Sequence, residues 1–391
     1  MRSVLADCRF VTYKSPLSQD LVGAAVLRDD RTLGVAWDIE AAAAKCRAIG
    51  EAVERVALEH DHRAFAVHTA VELGDRALPL KDAVRFSPGQ LTTESLARYR
   101  WTAETPTSWA AAARLEAPSE HVLVPADLAF FRRLSADTTL IRPVSSTGTA
   151  AHPSRDQALL RALVECVERH EIAVAYRRGS APVRLHLDEY HVLNAIAGLF
   201  EAEGAQLEVG LLSVSFGIPV AVAAVVSSRV DRPSIAVGSG AGLDVVSAML
   251  AATFEAIQVF HLAWQLLRRG ATVPAVPHTS QERALWWGTR HVAFAERLFR
   301  DAAPVQPWVA LAADAKTSSA NAERLVALVR QDGHPGAVLD ITPACFRLGG
   351  PHVTRVVLPS LLLPHTDERY PFMMAPCDPG APVTAIPHPY A

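Results

Sequence analysis

Apolar residues recur every three or four positions in six segments of the chain, the spacing of one face of a helix. We therefore predict helices over residues 38–60, 154–178, 187–204, 243–268, 281–300 and 317–332. Ser154 stands at the start of the second segment, where a capping hydroxyl is favoured, and Gly333 follows the last. Thr317, Ser318 and Ser319 offer alternative caps for that last helix.

Short runs rich in β-branched residues predict strands at 121–125, at 234–239, at 353–359 and on both sides of Gly217. The apolar run over 209–228 is long enough for a membrane span, but "FGIP" in its middle breaks helical continuity. We therefore predict two strands joined by a turn. Strands and helices do not alternate strictly, which favours an α+β fold over a doubly wound parallel sheet.

Composition and charge narrow the class of protein. The 391 residues are 50% hydrophobic and 20% charged, which is typical of a globular chain, and we expect one domain over 1–391. Its motif-bearing region begins at about residue 34, and prolines predict an extended arm over 371–391. A formal charge of −3 gives no basic field for nucleic acid. Because charged residues interrupt the apolar runs near the N-terminus, no secretory signal is expected, and we predict a cytoplasmic protein that binds neither nucleic acid nor membrane.

Five cysteines, Cys8, Cys46, Cys166, Cys345 and Cys377, are scattered along the chain and never spaced as CxxC. This pattern argues against a disulfide framework and against a structural zinc site. We expect reduced thiols.

Two helical segments carry the same arrangement of acidic residues. "AIGEAVERVAL" holds Glu51 and Glu54, and "RALVECVERHE" holds Glu165 and Glu168. Residues three apart lie on one face of a helix, so each segment presents two carboxylates side by side. Because like charges so close repel each other, the repeat needs a physical explanation.

One explanation is a solvated helix face. Glu51 and Arg55, and likewise Glu165 and Arg169, are four residues apart with the acid first, which suits a helical ion pair worth about 0.2–0.5 kcal/mol. The cluster "EHDHR", from Glu59, is interpreted in the same way, as a solvated helix end.

The other explanation is a shared cation site. A third, weaker copy, "AATFEAIQVF", holds Glu255 and Gln258, and all three copies sit beside small or apolar residues. Three such helices can converge their carboxylates on one cleft, which suits Mg²⁺ bridging the phosphates of a nucleotide. The loops "SSTGTAAHPS" and "VGSGAGLD" precede the second and third helices and could offer backbone N–H groups to anions.

These segments resemble the YcaO-domain family, which uses ATP to activate backbone amides of ribosomally made peptides. The resemblance runs from about residue 34 onward and is densest in "AKCRAIGEAVER", "SSTGTAAHPSRDQALLRALVECVER", "GIPVAVAAV" and "VGSGAGLDVVSAMLAATFEAIQ". It implies an α+β fold of mixed and antiparallel sheets flanked by helices, with the acidic helices converging on one cleft. Its implied cofactors are ATP and Mg²⁺.

By position, the resemblance also implies site residues. Metal ligation is implied for the five glutamates Glu51, Glu54, Glu165, Glu168 and Glu255. The implied ATP-binding set is Glu51, Glu54, Ser146, Glu165, Glu168, Arg169, Glu255 and Gln258. No catalytic base is assigned.

The chain departs from the family pattern at positions that usually help grip the nucleotide. Val35 stands for a lysine, Arg47 for a serine, Pro153 for an asparagine and Ala251 for an arginine. A nucleotide-free relative that binds a peptide or a partner enzyme is therefore the second hypothesis.

The implied reaction is attack of a nucleophile on a peptide carbonyl, phosphorylation of the resulting oxyanion by ATP, and loss of phosphate. A side-chain nucleophile gives an azoline, a terminal amine gives a macrocyclic amidine, and sulfide gives a thioamide. The resemblance is to stand-alone members, including divergent ones in bottromycin-type pathways, and favours cyclisation. The implied partners are a precursor peptide, a second copy in a homodimer, and a separate leader-binding or partner protein.

Overall fold

The computed structural model describes residues 5, 7–15, 17–29, 31–59, 65–80, 82–131, 138–212, 216–290, 292–299, 318–347, 349–373 and 386–390. The strands are β1 (Arg9–Lys14), β2 (Val22–Arg28), β3 (Arg31–Asp38), β4 (Ala66–His68), β5 (Thr107–Arg114), β6 (His121–Pro125), β7 (Thr149–His152), β8 (Val183–Arg184), β9 (Ala205–Leu211), β10 (Val220–Ser227), β11 (Ile235–Ala241), β12 (Ala337–Asp340) and β13 (His352–Val357). The α-helices are α1 (Ala41–Glu59), α2 (Ala70–Leu73), α3 (Ala126–Ala129), α4 (Arg155–Arg178), α5 (His191–Glu201), α6 (Val245–Arg268), α7 (Ser280–Gly288) and α8 (Ser318–Gln331). Short 3₁₀ helices span Gly74–Arg76, Gln90–Thr92, Glu94–Tyr99, Leu187–Glu189, Val292–Arg297 and Ala344–Phe346.

Three sheets form the framework. The first has the order β1-β2-β3, the second β11-β10-β9-β8, and the third β4-β5-β12-β13-β7 with β6 beside β5. The strand pairings within these sheets are antiparallel. Antiparallel sheets with flanking helices confirm the predicted α+β class.

Small residues bring α1 onto the first sheet. Ala44, Ala48 and Ala52 form the buried stripe of α1, and a Cβ added at Gly34 of β3 would lie 2.1 Å from the carbonyl oxygen of Ala48. Only glycine allows this approach. The stripe therefore fixes which face of α1 is buried and turns the glutamates to its margin.

Glycines without a Cβ also let α6 pack closely on the second sheet. A Cβ at Gly238 or Gly240 of β11 would lie 2.2 Å or 2.4 Å from a backbone nitrogen of α6. Asp244 caps the helix by accepting a hydrogen bond from the amide of Ser247. This close packing holds Glu255 beside the edge of β11.

The predicted helices and strands lie close to the observed ones, with two differences. Helix 187–204 is divided into a 3₁₀ turn and α5, and helix 281–300 ends at Gly288 instead of continuing. The hydroxyl of Thr289 donates to carbonyl oxygens of the last turn of α7, which competes with further helical hydrogen bonds. Ser154 caps α4 as predicted, whereas Thr317 lies outside the described residues.

The apolar run over 209–228 is the end of β9, a turn and β10, as predicted. Phe216 and Gly217 form the turn with φ values of 52° and 65°. β10 is buried on both faces, which explains its continuous apolar sequence. Among the described residues, α6 is the one helix long and apolar enough to cross a membrane. Its apolar positions pack in the core against β10 and β11.

Candidate functional site

A cavity of about 1170 Å³ lies where the three acidic helices meet. One face of the first sheet forms a wall, and α1, α4, α6, the loop before β7 and two segments near the end of the chain form the others. The predicted site residues that line it are Glu51, Glu54, Ser146, Glu165, Arg169, Glu255 and Gln258. Glu168 is the predicted residue that does not line the cavity.

The pair on α1 ties the helix to two sheets. Glu51 accepts a hydrogen bond from the amide of Val35 at 2.8 Å and pairs with Arg55 at 2.6 Å, so the expected helical ion pair is present. Glu54 accepts from the amide of Ala151 at 2.7 Å. Both side chains are therefore oriented by backbone groups of β3 and β7.

Burial raises the pKa of both carboxyls on α1, and neighbouring carboxylates add to the shift at Glu54. The pKa of Glu54 is raised to about 8, first by burial and then by the charges of Glu165 and Glu51, although the amide of Ala151 opposes the shift. Burial also raises the pKa of Glu51, against the amide of Val35 and the charge of Arg55. A cation placed between these groups would offset their repulsion.

On α4, Glu165 turns toward the loop before β7. It accepts a hydrogen bond from the amide of Gly148 at 3.0 Å, and burial raises its pKa. The ion pair predicted between Glu165 and Arg169 is not found among the described residues. Arg169 pairs with Glu255 at 3.3 Å instead. This loop was predicted to offer backbone N–H groups to anions, and the amide of Gly148 donates to the protein's own Glu165 carboxylate.

Buried Arg355 on β13 holds this loop in shape. Its guanidinium donates to the carbonyl oxygens of Ser145, Ser146 and Thr147 and to the hydroxyl of Thr149, over distances of 2.6 Å to 2.8 Å. Ser146 thereby stays at the cavity wall. The role of Arg355 could not be predicted from the sequence, because it lies about two hundred positions from the loop.

Glu168, which does not line the cavity, and Glu255, which does, both contact Ser239 of β11. The Ser239 hydroxyl lies 2.7 Å from Glu168 and 3.1 Å from Glu255, and its amide donates to Glu255 at 2.6 Å. The pKa of Glu168 is raised to about 7, mainly by burial, with Arg169 opposing and Glu255 adding to the shift.

Segment 386–390 forms another part of the wall. Tyr176 donates to the carbonyl oxygen of Ile386 at 2.6 Å, and the amide of His388 donates to Glu368 at 3.2 Å. His388 also donates from Nε2 to the carbonyl oxygen of His365 at 2.6 Å. Of the predicted arm over 371–391, residues 374–385 and 391 lie outside the described residues.

A cluster that was not predicted brings ligand atoms within 4.8 Å of one another; its members are His365, Glu368 and His388. Arg283 lies 3.3 Å from Glu368, and His365 lies 2.8 Å from the same carboxylate. Because Glu368 pairs with Arg283 and His365 and also accepts from the amide of His388, these contacts anchor segment 386–390.

Four residues depart from the family pattern, and Val35 is the one of them that lines the cavity. The other three, all within the described residues, are Arg47, Pro153 and Ala251. Arg47 pairs with Asp38 at 3.1 Å and lies over the ring of Phe254 at 5.0 Å. Its guanidinium is therefore engaged away from the cavity.

The cluster that begins at Glu59 and the cysteines are described in part. Glu59 pairs with Arg28 and Arg31 at 3.5 Å and 3.0 Å, as a solvated helix end would, and residues 60–63 lie outside the described residues. Cys8, Cys46, Cys166 and Cys345 are free thiols, as predicted, and Cys377 lies outside the described residues.

The donor set fits Mg²⁺. Hard oxygen ligands from carboxylates are what this ion prefers, and here they come from three separate helices. Glu54 uses one oxygen for Ala151, and its second oxygen has no hydrogen-bond partner among the described residues. Glu54 and Glu165 have raised pKa values that a bound cation would lower again.

Solved structures share this fold. A heterocyclase in complex with substrate and cofactor has 20% identity and a TM-score of 0.74, over 91% of this chain and 50% of that one. YcaO from Methanopyrus kandleri bound with AMPPCP and Mg²⁺ has 20% identity and a TM-score of 0.63, over 92% and 87%. The E. coli microcin synthetase McbBCD complex with pro-MccB17 bound has 14% identity and a TM-score of 0.70, over 98% and 96%. The chain thus spans half the length of the first heterocyclase, and 45% of the heterocyclase TruD.

A search of curated proteins finds no significant match. The sequence model of one family, described as YcaO cyclodehydratase, ATP- and Mg²⁺-binding, matches residues 39–362. This match covers most of the chain and confirms the family and the cofactors expected from the glutamate segments. The chain belongs to the YcaO family, whose domain binds ATP and Mg²⁺.

Proposed function

We propose that this protein is an ATP- and Mg²⁺-dependent enzyme that activates a backbone amide of a ribosomally made precursor peptide for cyclisation, to an azoline or a macrocyclic amidine. The observation that carries the proposal is the convergence of Glu51, Glu54, Glu165 and Glu255, from three helices, on one cavity. A binding module has no physical reason to keep like charges together.

Within the proposed reaction, bound ATP and Mg²⁺ supply the phosphoryl group for the amide oxygen and the positive charge that stabilises its transfer. The chain's own contribution is orientation. Glu54 and Glu165 are each held by a backbone amide, so their direction is set before any cation arrives. Arg169, between Glu255 and Glu168, limits the repulsion between those two carboxylates.

The size of the cavity supports a peptide substrate. Small-molecule sites have volumes of about 300–1,000 Å³, and this cavity exceeds that range at about 1170 Å³. Val11, Tyr13 and Trp37 on the first sheet and Leu262 on α6 give the cavity apolar walls as well. These walls can hold a peptide segment beside a nucleotide and exclude water from the reacting amide.

We further propose a single domain over 1–391 that acts in the cytoplasm as a homodimer, with a separate leader-binding or partner protein. The metal ligands proposed are Glu51, Glu54, Glu165, Glu168 and Glu255. Thioamide formation uses the same amide activation and is the alternative outcome.

A nucleotide-independent peptide- or partner-binding protein is the second candidate. The observation that favours it is Val35, an apolar side chain at the cavity wall where the family has a lysine. Arg47, Pro153 and Ala251 add no cation to that wall.

Calorimetry separates the two candidates. The native protein and the double variant Glu165→Gln, Glu168→Gln are titrated with a non-hydrolysable ATP analogue and Mg²⁺, with exposed Glu201→Gln on α5 as the matched control. The enzyme proposal expects saturable binding by the native protein and the control, and its loss in the double variant. No binding by any of the three proteins would favour the nucleotide-independent binding protein. Equal binding by all three would contradict the assignment of Glu165 and Glu168 to the nucleotide site.

Mass spectrometry of the precursor peptide after incubation with enzyme, ATP and Mg²⁺ identifies the product. Loss of one water supports cyclisation to an azoline or amidine, and tandem fragmentation distinguishes the two. Replacement of oxygen by sulfur in the presence of sulfide would assign the thioamide reaction instead.

A further inference from the structure

Ser239 on β11 contacts carboxylates from two different helices. It is 3% exposed, and its hydroxyl lies 2.7 Å from Oε1 of Glu168 on α4 and 3.1 Å from Oε2 of Glu255 on α6. Its amide donates to the same Oε2 of Glu255 at 2.6 Å. One residue therefore links the second and third acidic helices.

The hydrogens of Ser239 suit this link. A hydroxyl has one hydrogen to donate, and the amide already serves Glu255, so the hydroxyl donates to Glu168 over the shorter distance. Each carboxylate thus receives one donor from Ser239. Two hydrogen bonds from one buried residue therefore orient both side chains, and such bonds are about twice as strong as neutral ones when the carboxylate is ionised.

The backbone of Ser239 is itself fixed. Gly238 and Gly240 on either side pack so tightly against α6 that an added Cβ would lie 2.2 Å or 2.4 Å from its backbone. β11 is also the edge strand of the second sheet, so the amide of Ser239 is available to a carboxylate. A change in the position of Ser239 relative to α6 would therefore disrupt the packing of the core.

We propose that Ser239 is a positioning residue of the divalent-cation site, which sets the separation of Glu168 and Glu255 and thereby the affinity for Mg²⁺ with nucleotide. This inference rests on the proposed function. Ser239 acts through the two carboxylates and does not itself touch the substrate. Partners that orient metal ligands typically change affinity by about 10–100-fold when they are removed.

The test is a Mg²⁺ titration of the binding of a non-hydrolysable ATP analogue, followed by calorimetry. The variants are Ser239→Ala, which removes the hydroxyl, and Ser239→Thr, which keeps it. Ser227→Ala is the matched control, because Ser227 is a buried serine of the same sheet, on β10, whose hydroxyl contacts the carbonyl of Gly204.

We expect Ser239→Ala to raise the Mg²⁺ concentration for half-saturation by about 10–100-fold with unchanged stoichiometry. Ser239→Thr and Ser227→Ala should stay within about threefold of the native protein, since both keep the hydrogen bond to Glu168. A purely structural lesion would instead lower the fraction of competent protein without moving the midpoint.

Equal midpoints in Ser239→Ala and the native protein would overturn the inference while leaving the proposed function in place. So would an equal rise in Ser239→Ala and Ser239→Thr. Absence of Mg²⁺-dependent nucleotide binding by the native protein would overturn the proposed function and this inference together.

Discussion

Replacing Glu54 by glutamine should stabilise the metal-free protein while removing a proposed cation ligand. The pKa of Glu54 is raised from 4.5 to about 8, chiefly by burial. A carboxyl with a raised pKa takes up a proton on folding, so the stability of the native protein should fall as pH rises between those two values. Glutamine carries no such proton dependence, and its amide oxygen can still accept from Ala151.

The magnitude follows from the two pKa values. Near pH 7 the unfolded carboxyl is ionised, about 2.5 pH units above its pKa of 4.5, whereas the folded one is largely protonated. At about 1.4 kcal/mol per unit, folding of the native protein carries a penalty of about 3 kcal/mol near pH 7 and about 1 kcal/mol near pH 5.5. Glu54→Gln should therefore raise the free energy of unfolding, and the gain should grow with pH.

Urea unfolding in the presence of a chelator measures this directly. The native protein, Glu54→Gln and the exposed control Glu201→Gln are compared near pH 5.5, 7 and 8.5. The control should follow the native protein at each pH. The prediction would be wrong if Glu54→Gln were less stable than the native protein near pH 7, or if the difference in stability did not widen with pH.

Three further outcomes are expected. Gly148→Ala should lower the free energy of unfolding by about 1–3 kcal/mol, as measured in urea, because Gly148 has φ of 86° and an added Cβ would lie 2.5 Å from the carbonyl oxygen of Val356. Arg355→Met should destabilise by about 2–4 kcal/mol and abolish nucleotide heats, since carbonyl oxygens before β7 lose their donor; unchanged heats would contradict this. Glu368→Gln should speed amide hydrogen exchange in residues 386–390 by at least about tenfold, because the amide of His388 loses a charged acceptor; unchanged exchange would show that other contacts anchor the segment.

Much of the helical framework could be predicted because its signals are local. The spacing of Ala44, Ala48 and Ala52 marks the buried face of α1, and Ser154 supplies the cap of α4. The spacing of Glu51 and Glu54 also shows, without any tertiary information, that the two carboxylates share a face.

Contacts between distant parts of the chain could not be predicted in this way. Arg355, Ser239 and Glu368 each orient site residues far away in sequence, and no local pattern distinguishes them from other polar residues. Glu165 illustrates the consequence. Its spacing to Arg169 favours a helical ion pair, but the amide of Gly148 attracts it instead.

The strands β1 to β3 were missed for a related reason. One face of that sheet lines the cavity, so its residues include Arg9 and Thr32 as well as Tyr13 and Trp37. The expected alternation of apolar and polar positions is therefore blurred. A strand that lines a binding cavity need not show the alternation of apolar and polar residues seen in a strand that packs on a core.

Acidic residues of three helices are proposed to form one site for a divalent cation and a nucleotide. The most direct test of this proposal is a crystal structure with Mn²⁺ and a non-hydrolysable ATP analogue, in which anomalous scattering locates the metal. We expect Mn²⁺ within about 2–2.5 Å of carboxylate oxygens that include Glu54 or Glu165, next to the phosphates of the nucleotide. Metal found only at His365, Glu368 and His388, or nucleotide bound away from the glutamates, would contradict it.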